Sequence, residues 1–284
     1  LQPLSLKRMT LNEKFLRLKQ NLRRMERVII AYSGGVDSTL LLKAASLSGL
    51  KDILAVTASS ESLPQEELSF AKEMASSLNI RHRIIFTEEL KDENFSSNPP
   101  NRCYYCKKGL FNKLREIATK EGIQYILDGT NADDGHDWRP GRQAADELGI
   151  ISPLHDAGFT KKEIRELSFS LGLPTWNKPA TPCLASRFPY GQRITSEALE
   201  RVNRAEKFIK KFGIRELRVR EHAEIARLEI PLKEFKILTD EGIRMEIVNF
   251  LKSLGYIYIT LDLQGLRSGS LNEMLSMVNS DKGD

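Results

Sequence analysis

Three cysteines and one glycine-rich bend carry most of the chemistry this sequence can offer. The bend is Ser33-Gly34-Gly35-Val36-Asp37-Ser38, set between the apolar run Val28-Ile29-Ile30-Ala31 and a stretch over residues 39–48 that holds Leu40, Leu41, Leu42, Ala44, Ala45 and Leu47 and stops at Gly49. The first run predicts a strand covered on both faces, the second a helix with a C-terminal glycine. A strand, a tight glycine turn and a helix N-terminus together present backbone N–H groups and a partial positive charge, which makes a seat for phosphate. The cysteines are Cys103 and Cys106, in Asn101-Arg102-Cys103-Tyr104-Tyr105-Cys106-Lys107-Lys108, and Cys183, in Pro182-Cys183-Leu184-Ala185-Ser186-Arg187. Thiols of a cytosolic chain stay reduced, so the Cys-x-x-Cys pair points to metal or redox work rather than to a structural disulfide. Spacing leaves three readings open. A [4Fe-4S] cluster on three thiolates would leave one iron without a protein ligand; zinc would need a histidine from His82, His136, His155 or His222, none at finger spacing; a thioredoxin-like dithiol leaves Cys183 unexplained.

The bend is not a Walker A loop, since no Gly-x-x-x-x-Gly-Lys-Ser/Thr surrounds it, and this disfavours an NTPase that cuts the γ phosphate. It resembles the PP-loop, Ser-Gly-Gly-x-Asp-Ser, of the ATP pyrophosphatases, which split ATP between its α and β phosphates. The resemblance implies that the Ser33 and Ser38 hydroxyls, with the amides of Gly34 and Gly35, hold pyrophosphate and that Asp37 helps to hold Mg²⁺.

The elements that must position these groups alternate. Leu11, Phe15, Leu18, Leu22 and Met25 mark an amphipathic helix; residues 53–58 predict a strand; Pro64 opens a helix with Leu68, Ala71, Ala75 and Leu78 inward; residues 83–86 predict a third strand. Residues 123–127 and 150–154 read as a fourth and a fifth strand, and Thr160 with Glu163 forms a capping box for a helix through Ile164, Leu167 and Leu171. Strands alternating with helices give an α/β fold with a parallel, Rossmann-like sheet, whose ligands bind beyond the carboxyl ends of the strands, where the Ser33 bend and Thr57 both fall. At 284 residues the chain predicts two domains, 1–190 for the phosphate seat and the cysteines and 191–284 for a smaller α/β module, with Pro189-Tyr190-Gly191 as the hinge. In the module, residues 217–220 and 226–230 read as strands before a helix with Ile243, Ile247, Phe250 and Leu254, and residues 256–261 as a last strand. Net charge is +5 on 43 basic and 38 acidic side chains, compatible with a nucleotide or another anion without choosing between them. Apolar runs are strand-sized and residues 1–10 lack the features of a signal peptide, so a cytoplasmic protein is expected, with its true start missing before Leu1.

Further anion-binding and metal-binding candidates follow. Asp128-Gly129-Thr130-Asn131-Ala132-Asp133-Asp134 ends the fourth strand, with Gly129 and Thr130 suited to close approach of a nucleotide and the acidic pair to a metal. Arg139 and Arg142 flank Pro140-Gly141 beside Trp138, two guanidinium forks next to an aromatic ring. In Leu217-Arg218-Val219-Arg220 the arginines share one strand face, ordinarily a solvated one. Arg267 precedes a helix expected to be capped by Ser270 and Glu273. Residues 87–102, acidic and rich in serine and proline, have the composition of a mobile lid.

Together the PP-loop, Cys103-x-x-Cys106-Lys107, Gly129 to Asp134, Trp138 to Arg142, residues 182–191, Leu217 to Arg220 and Arg267-Ser268-Gly269-Ser270 resemble the LarE family over nearly the whole chain. Members are ATP-dependent sulfur transferases that act on pyridinium-3,5-biscarboxylate mononucleotide in making the nickel-pincer cofactor. The resemblance implies that a substrate carboxylate attacks the α phosphate of ATP, releasing pyrophosphate, and that sulfur then displaces AMP to leave a thiocarboxylate. Single-cysteine members give up the sulfur of the residue at the position of Cys183; this chain, with Cys103 and Cys106 besides, is similar to the cluster-bearing form, in which a sulfide on the open iron is transferred. The resemblance thus makes Cys103, Cys106 and Cys183 ligands of a [4Fe-4S] cluster, makes Asp37, Lys107 and Cys183 the catalytic residues, and gives Lys107, Arg218, Arg220 and Arg267 the substrate's phosphate and carboxylates; Arg139, Arg142 and Arg187 are further substrate contacts.

Two other functions compete. A PP-loop tRNA thiolation enzyme would carry a tRNA-binding domain or a zinc ribbon, and neither is found; a non-catalytic ATP or AMP sensor would not need Asp37 with three placed thiols. The expected cofactors are ATP, Mg²⁺ and the cluster. The expected partners are the small nucleotide substrate, a sulfide or other sulfur donor, and further copies of the chain in a homo-oligomer, with neither membrane nor nucleic acid.

Overall fold

A computed structural model describes residues 9–136, 140–267, 269–273 and 275 of the chain. It falls into two compact units, one of residues up to Glu89 with Asn101–Thr181, the other of Leu90–Pro100 with the residues from Pro182 onward. Pro189-Tyr190-Gly191, expected as a hinge, lies inside the second unit.

The first unit opens with α1 (Leu11–Arg23), whose N-terminal amides are satisfied by a capping box between Thr10 and Glu13. Then come β1 (Arg27–Ala31), α2 (Val36–Ser46), β2 (Asp52–Ser59), α3 (Gln65–Ser77) and β3 (Arg81–Phe86). The chain next passes through Leu90–Pro100, which holds α4 (Glu93–Ser96), and returns as α5 (Arg102–Glu121), β4 (Tyr125–Leu127), α6 (Pro140–Glu147), α7 (Pro153–Asp156) and α8 (Lys161–Ser170). The strands form one parallel sheet in the order β3-β2-β1-β4, with Ile29 of β1 level with Leu54 of β2 and Ile126 of β4.

Both faces of this sheet are covered, which explains the unbroken apolar run of β1. Val28 and Ile30 face a core with Leu18, Leu40, Leu41, Ile164 and Leu167, while Ile29, Leu54 and Val56 face Phe111, Leu114 and Ala144. The expected fifth strand is reduced to a single bridge between Leu127 and Ile151, because Pro153 has no N–H to continue a ladder and instead opens α7.

Chain order reverses between β1 and β4: β2 and β3 lie to one side of β1, and the chain then crosses back to place β4 on the other. The loops leaving β1 and β4 therefore meet at the carboxyl edge of the sheet, where such folds bind ligands. Gly129 allows that meeting. A Cβ there would lie 2.9 Å from the Ser38 nitrogen and 3.0 Å from its Cα, closer than backbone can yield cheaply.

In the second unit, α9 (Ser196–Lys210) and α10 (Glu241–Ser253) pack with a sheet of β5 (Arg218–His222), β6 (Ile225–Glu229) and β7 (Tyr258–Leu261), antiparallel between β5 and β6 and parallel between β6 and β7. Residues 90–100 are docked here rather than forming a lid. Phe95, Ser96 and Asn98 are buried, and the Asn98 amide donates to the carbonyls of Phe188 and Pro189 at 3.3 and 2.7 Å. One buried phenylalanine on a four-residue helix leaves no periodicity for a sequence to display. No helix among the described residues is long and apolar enough to cross a membrane.

Replacing Gly129 by Ala forces Ser38 and the start of α2 outward. Gly129→Ala is expected to cost about 1–3 kcal/mol of stability, the usual penalty of overpacking, and to weaken pyrophosphate binding; unchanged melting and unchanged affinity would show that the two loops do not touch.

Candidate active site

The bend after β1 sits between a left-handed Gly34, φ +71°, and the first turn of α2, which begins earlier than its apolar pattern suggests and so includes Asp37 and Ser38. Gly35 occupies the N-cap with no side chain to satisfy the amides behind it. The Ser33 and Ser38 hydroxyls lie 3.1 Å apart, and Gly35 N–H donates to Ser33 Oγ at 3.3 Å. Two hydroxyls, uncapped helix amides and the positive end of the helix dipole thus converge on one small volume, the donor set an anion requires. Thr57, at the end of β2, donates its hydroxyl to the Tyr32 carbonyl at 2.8 Å, so His82 Nε2, also 2.8 Å away, must carry a proton and donate to the same oxygen. Burial, and Lys72 nearby, hold the His82 pKa below its ordinary value, which keeps the ring neutral in that bond.

Asp37 is clamped from two sides. Asn131 Nδ2 donates to its Oδ1 at 3.3 Å, and Lys161 Nζ pairs with its Oδ2 at 2.5 Å. Lys161 is the residue that sequence reasoning missed. It is the first residue of α8, whose predicted capping box forms, with Thr160 and Glu163 each bonding the other's backbone. Its own N–H donates to Asp133 Oδ2 at 2.7 Å. The only signal in the sequence was a lysine directly after the N-cap, which is common on any exposed helix.

The acidic residues of the loop after β4 accept hydrogen bonds from nearby hydroxyl and backbone donors. Asp128 accepts from Thr130 N–H at 3.1 Å, Thr130 Oγ1 at 2.8 Å and Ser152 Oγ at 2.7 Å, while Asp134 accepts from Asn131 N–H at 3.0 Å. These bonds shape the loop, and Gly129 reaches the bend as backbone, against Ser38.

Cys103 and Cys106 stand one turn apart at the start of α5, and none of the three cysteines is in a disulfide. Cys106 Sγ lies 3.8 Å from Glu89 Oε1. Lys107, next on the helix, runs its stem past Gly141 of α6, where a Cβ would come within 2.9 Å of Lys107 Cγ; its ammonium lies 5.3 Å from the centroid of the Phe111 ring. Arg142 is half-buried on α6, and Arg139 lies outside the described residues. Within either unit, no three or more described His, Cys, Asp or Glu side chains gather as a metal site. The donors present still suit the expected groups. Paired thiols one turn apart offer the soft sulfur that iron–sulfur clusters take, and nucleotide-bound Mg²⁺ needs only one or two carboxylates because phosphate supplies the rest.

In the second unit, Cys183 leads into a 3-10 turn (Leu184–Arg187). Arg187 is buried against Glu206, donating from Nε at 2.7 Å and Nη2 at 2.9 Å, and Nη1 reaches the Pro182 carbonyl at 3.0 Å and Ser186 Oγ at 2.9 Å. Burial works against its charge, but Glu206 outweighs it and holds the guanidinium pKa above its ordinary value. Arg220, far from facing solvent, is buried: it bonds the Ser186 carbonyl, Glu229 and, at 2.7 Å, Ser270 Oγ. Ser270 bonds Arg220 and Glu229, and Gly269 stands at the N-cap of the short turn Ser270–Asn272. Arg218 donates to the Arg267 carbonyl at 2.9 Å, and Arg267 pairs with Glu273 at 3.2 Å. Burial first, and neighbouring positive charges after it, push the pKa of Arg218 down; burial also lowers that of Arg220 despite its pairing with Glu229.

A family model described as "Queuosine biosynthesis protein QueC" matches residues 27–98, which include the bend. An uncharacterised protein of Synechocystis sp. is 44% identical over 94% of this chain and 99% of its own length. The pyridinium-3,5-bisthiocarboxylic acid mononucleotide synthase of Lactiplantibacillus plantarum is 39% identical over 94% of this chain and 96% of its own. An uncharacterised protein of Methanocaldococcus jannaschii is 31% identical over 90% and 98%.

Glu206→Gln leaves the Arg187 charge buried without its partner. The variant is expected to lose about 3 kcal/mol of unfolding free energy, with the double variant Arg187→Met, Glu206→Leu closer to wild type; denaturant unfolding with the single variant as stable as wild type would contradict this.

Proposed function

Because the chain belongs to the LarE family of PP-loop proteins, we propose that it is an ATP-dependent sulfur transferase acting on pyridinium-3,5-biscarboxylate mononucleotide in nickel-pincer cofactor synthesis. The observation that carries this reading is the convergence of the Ser33 and Ser38 hydroxyls and the uncapped N-terminus of α2 beside the Asp37–Lys161 pair.

The seat fits the pyrophosphate half of ATP. A substrate carboxylate oxygen attacks the α phosphorus, the bond from that phosphorus to the bridging oxygen breaks, and pyrophosphate leaves with the electron pair. Donors aimed at the leaving group act on charge that grows during this step, which is where they lower the barrier. Asp37 would help to hold Mg²⁺, and Lys161, released from it, has a second anion within reach in the polyphosphate. The resulting acyl-adenylate carries a good leaving group, AMP, which a sulfur nucleophile displaces at the carboxyl carbon.

Cys103, Cys106 and Cys183 would hold a [4Fe-4S] cluster, which supplies sulfide for the transfer when bound. Lys107 follows this pair directly and offers a cation for a substrate carboxylate. Arg218, Arg220 and Arg267 supply the charge for the substrate's phosphate, in keeping with the depressed pKa values of the first two. Arg187, its donors engaged by Glu206 and by backbone around Cys183, would hold that cysteine's loop.

Purified protein incubated without oxygen with ATP, Mg²⁺ and the biscarboxylate nucleotide is expected to release pyrophosphate and AMP and to yield the thiocarboxylate by mass spectrometry. Asp37→Asn should stop pyrophosphate release without changing iron content. Replacing Cys103, Cys106 or Cys183 by Ala should bleach the brown colour. Wild-type protein that consumes no ATP with this substrate, or colour kept in all three cysteine variants, would overturn the respective parts.

A further inference from the structure

Lys178 lies outside every motif so far used, yet its ammonium reaches the back of the phosphate seat. Nζ donates to the Gly34 carbonyl at 3.2 Å, pairs with Glu67 Oε2 at 2.8 Å and stands 3.8 Å from the centroid of the Phe70 ring. The side chain is largely buried, at 17% exposure, as is that of Glu67 at 19%. Its backbone is fixed as well. Arg165 of α8 donates to the carbonyls of Trp176 and Lys178 at 2.7 and 2.9 Å, Lys178 N–H donates to Thr175 at 3.0 Å, and Pro179 restricts the residue before it.

The Gly34 carbonyl belongs to the peptide whose N–H is that of Gly35. In a trans peptide the two dipoles point opposite ways, so an ammonium on the oxygen turns the N–H away from Lys178. That N–H is directed at Ser33 Oγ, on the side where the Ser33 and Ser38 hydroxyls meet. Polarising the carbonyl also strengthens the donor at the other end of the same group. Gly34 is confined from a second direction, since a Cβ on it would lie 3.1 Å from Ala71 Cβ of α3, and its φ of +71° is one that other residues resist.

We infer that Lys178 is a positioning residue of the phosphate seat, acting through the Gly34–Gly35 peptide to aim the Gly35 N–H at the pyrophosphate of the bound nucleotide. This rests on the nucleotide reading above. A lysine serving only to tie the segment to α3 would need Glu67 and Phe70 alone; the bond to Gly34 is what distinguishes the two roles.

The test compares two ways of cutting one ion pair. Lys178→Met removes the pair with Glu67 and the bond to Gly34, whereas Glu67→Gln removes the pair and leaves the cation on Gly34. Binding of inorganic pyrophosphate with Mg²⁺ is read by calorimetry, with melting temperature alongside. Lys178→Met is expected to weaken binding roughly tenfold or more, the size of a lost charge-assisted hydrogen bond, while Glu67→Gln stays near wild type with a similar loss in melting temperature. Lys178→Gln repeats the removal should methionine pack badly over Phe70, and Lys178→Arg, which keeps the cation, is expected to bind more tightly than either. Equal affinities in the Lys178→Met and Glu67→Gln variants would overturn the inference while leaving the nucleotide reading intact. Wild-type protein that binds neither pyrophosphate nor ATP would overturn both.

Discussion

The first unit depends on one close approach of backbone to backbone, that of Gly129 to Ser38 at the point where strand order reverses. It brings the loop after β4 against the open start of α2 without covering the amides of that start. Had residue 129 carried a side chain, its Cβ would meet the Ser38 backbone and push the start of α2 away from the β4 loop. Everything charged nearby is arranged around that end. Asp37 stands on its first turn, Lys161 comes from α8, Asn131 from the β4 loop and Lys178 from behind. Each ammonium has its own carboxylate, Lys161 with Asp37 and Lys178 with Glu67, so what the end of α2 still offers an anion is its helix dipole and uncapped amides.

The second unit spends its charge differently. Arg187–Glu206 and Arg220–Glu229 are buried ion pairs, and taking such groups out of water costs more than their attraction returns unless every donor finds an acceptor. Arg187 meets that demand with carboxylate, carbonyl and hydroxyl partners. Arg218 has the Arg267 carbonyl at 2.9 Å and Glu229 only at 3.9 Å, and burial first, then the charges of Arg220 and Arg187, lowers its pKa.

Much of this was legible in the sequence, and what was not has physical causes. The parallel sheet declared itself through strands buried on both faces, and α8 through its capping box, because these patterns are local. The end of β4 was harder to read. Asp133 and Asp134 each accept from a backbone N–H, a role that a string of letters does not display. Residues 150–154 are apolar enough for a strand, but Pro153 decides otherwise. Arg220 reads as a solvated strand residue because alternation reports which face a side chain takes, not what covers that face. Lys161 and Lys178 were invisible because their partners, Asp37, Gly34 and Glu67, are more than a hundred residues away in the chain.

The setting of Cys183 follows from the same electrostatics. Nη1 of Arg187 binds the carbonyls of Pro182 and Cys183 and the Ser186 hydroxyl, and Arg220 holds the Ser186 carbonyl, so two buried cations grip the backbone on both sides of the thiol. Those cations are fixed in turn by Glu206, which also accepts from Val219 N–H of β5 at 3.0 Å, and by Glu229 on β6. The cysteine therefore rides on the strand pair that presents Arg218. Arg220 is the direct link, since it bonds both Glu229 of β6 and the Ser186 carbonyl of the loop that carries the thiol. Cys183 and the buried arginines of β5 are thus joined through one hydrogen-bonded network of Arg187, Glu206, Arg220 and Glu229.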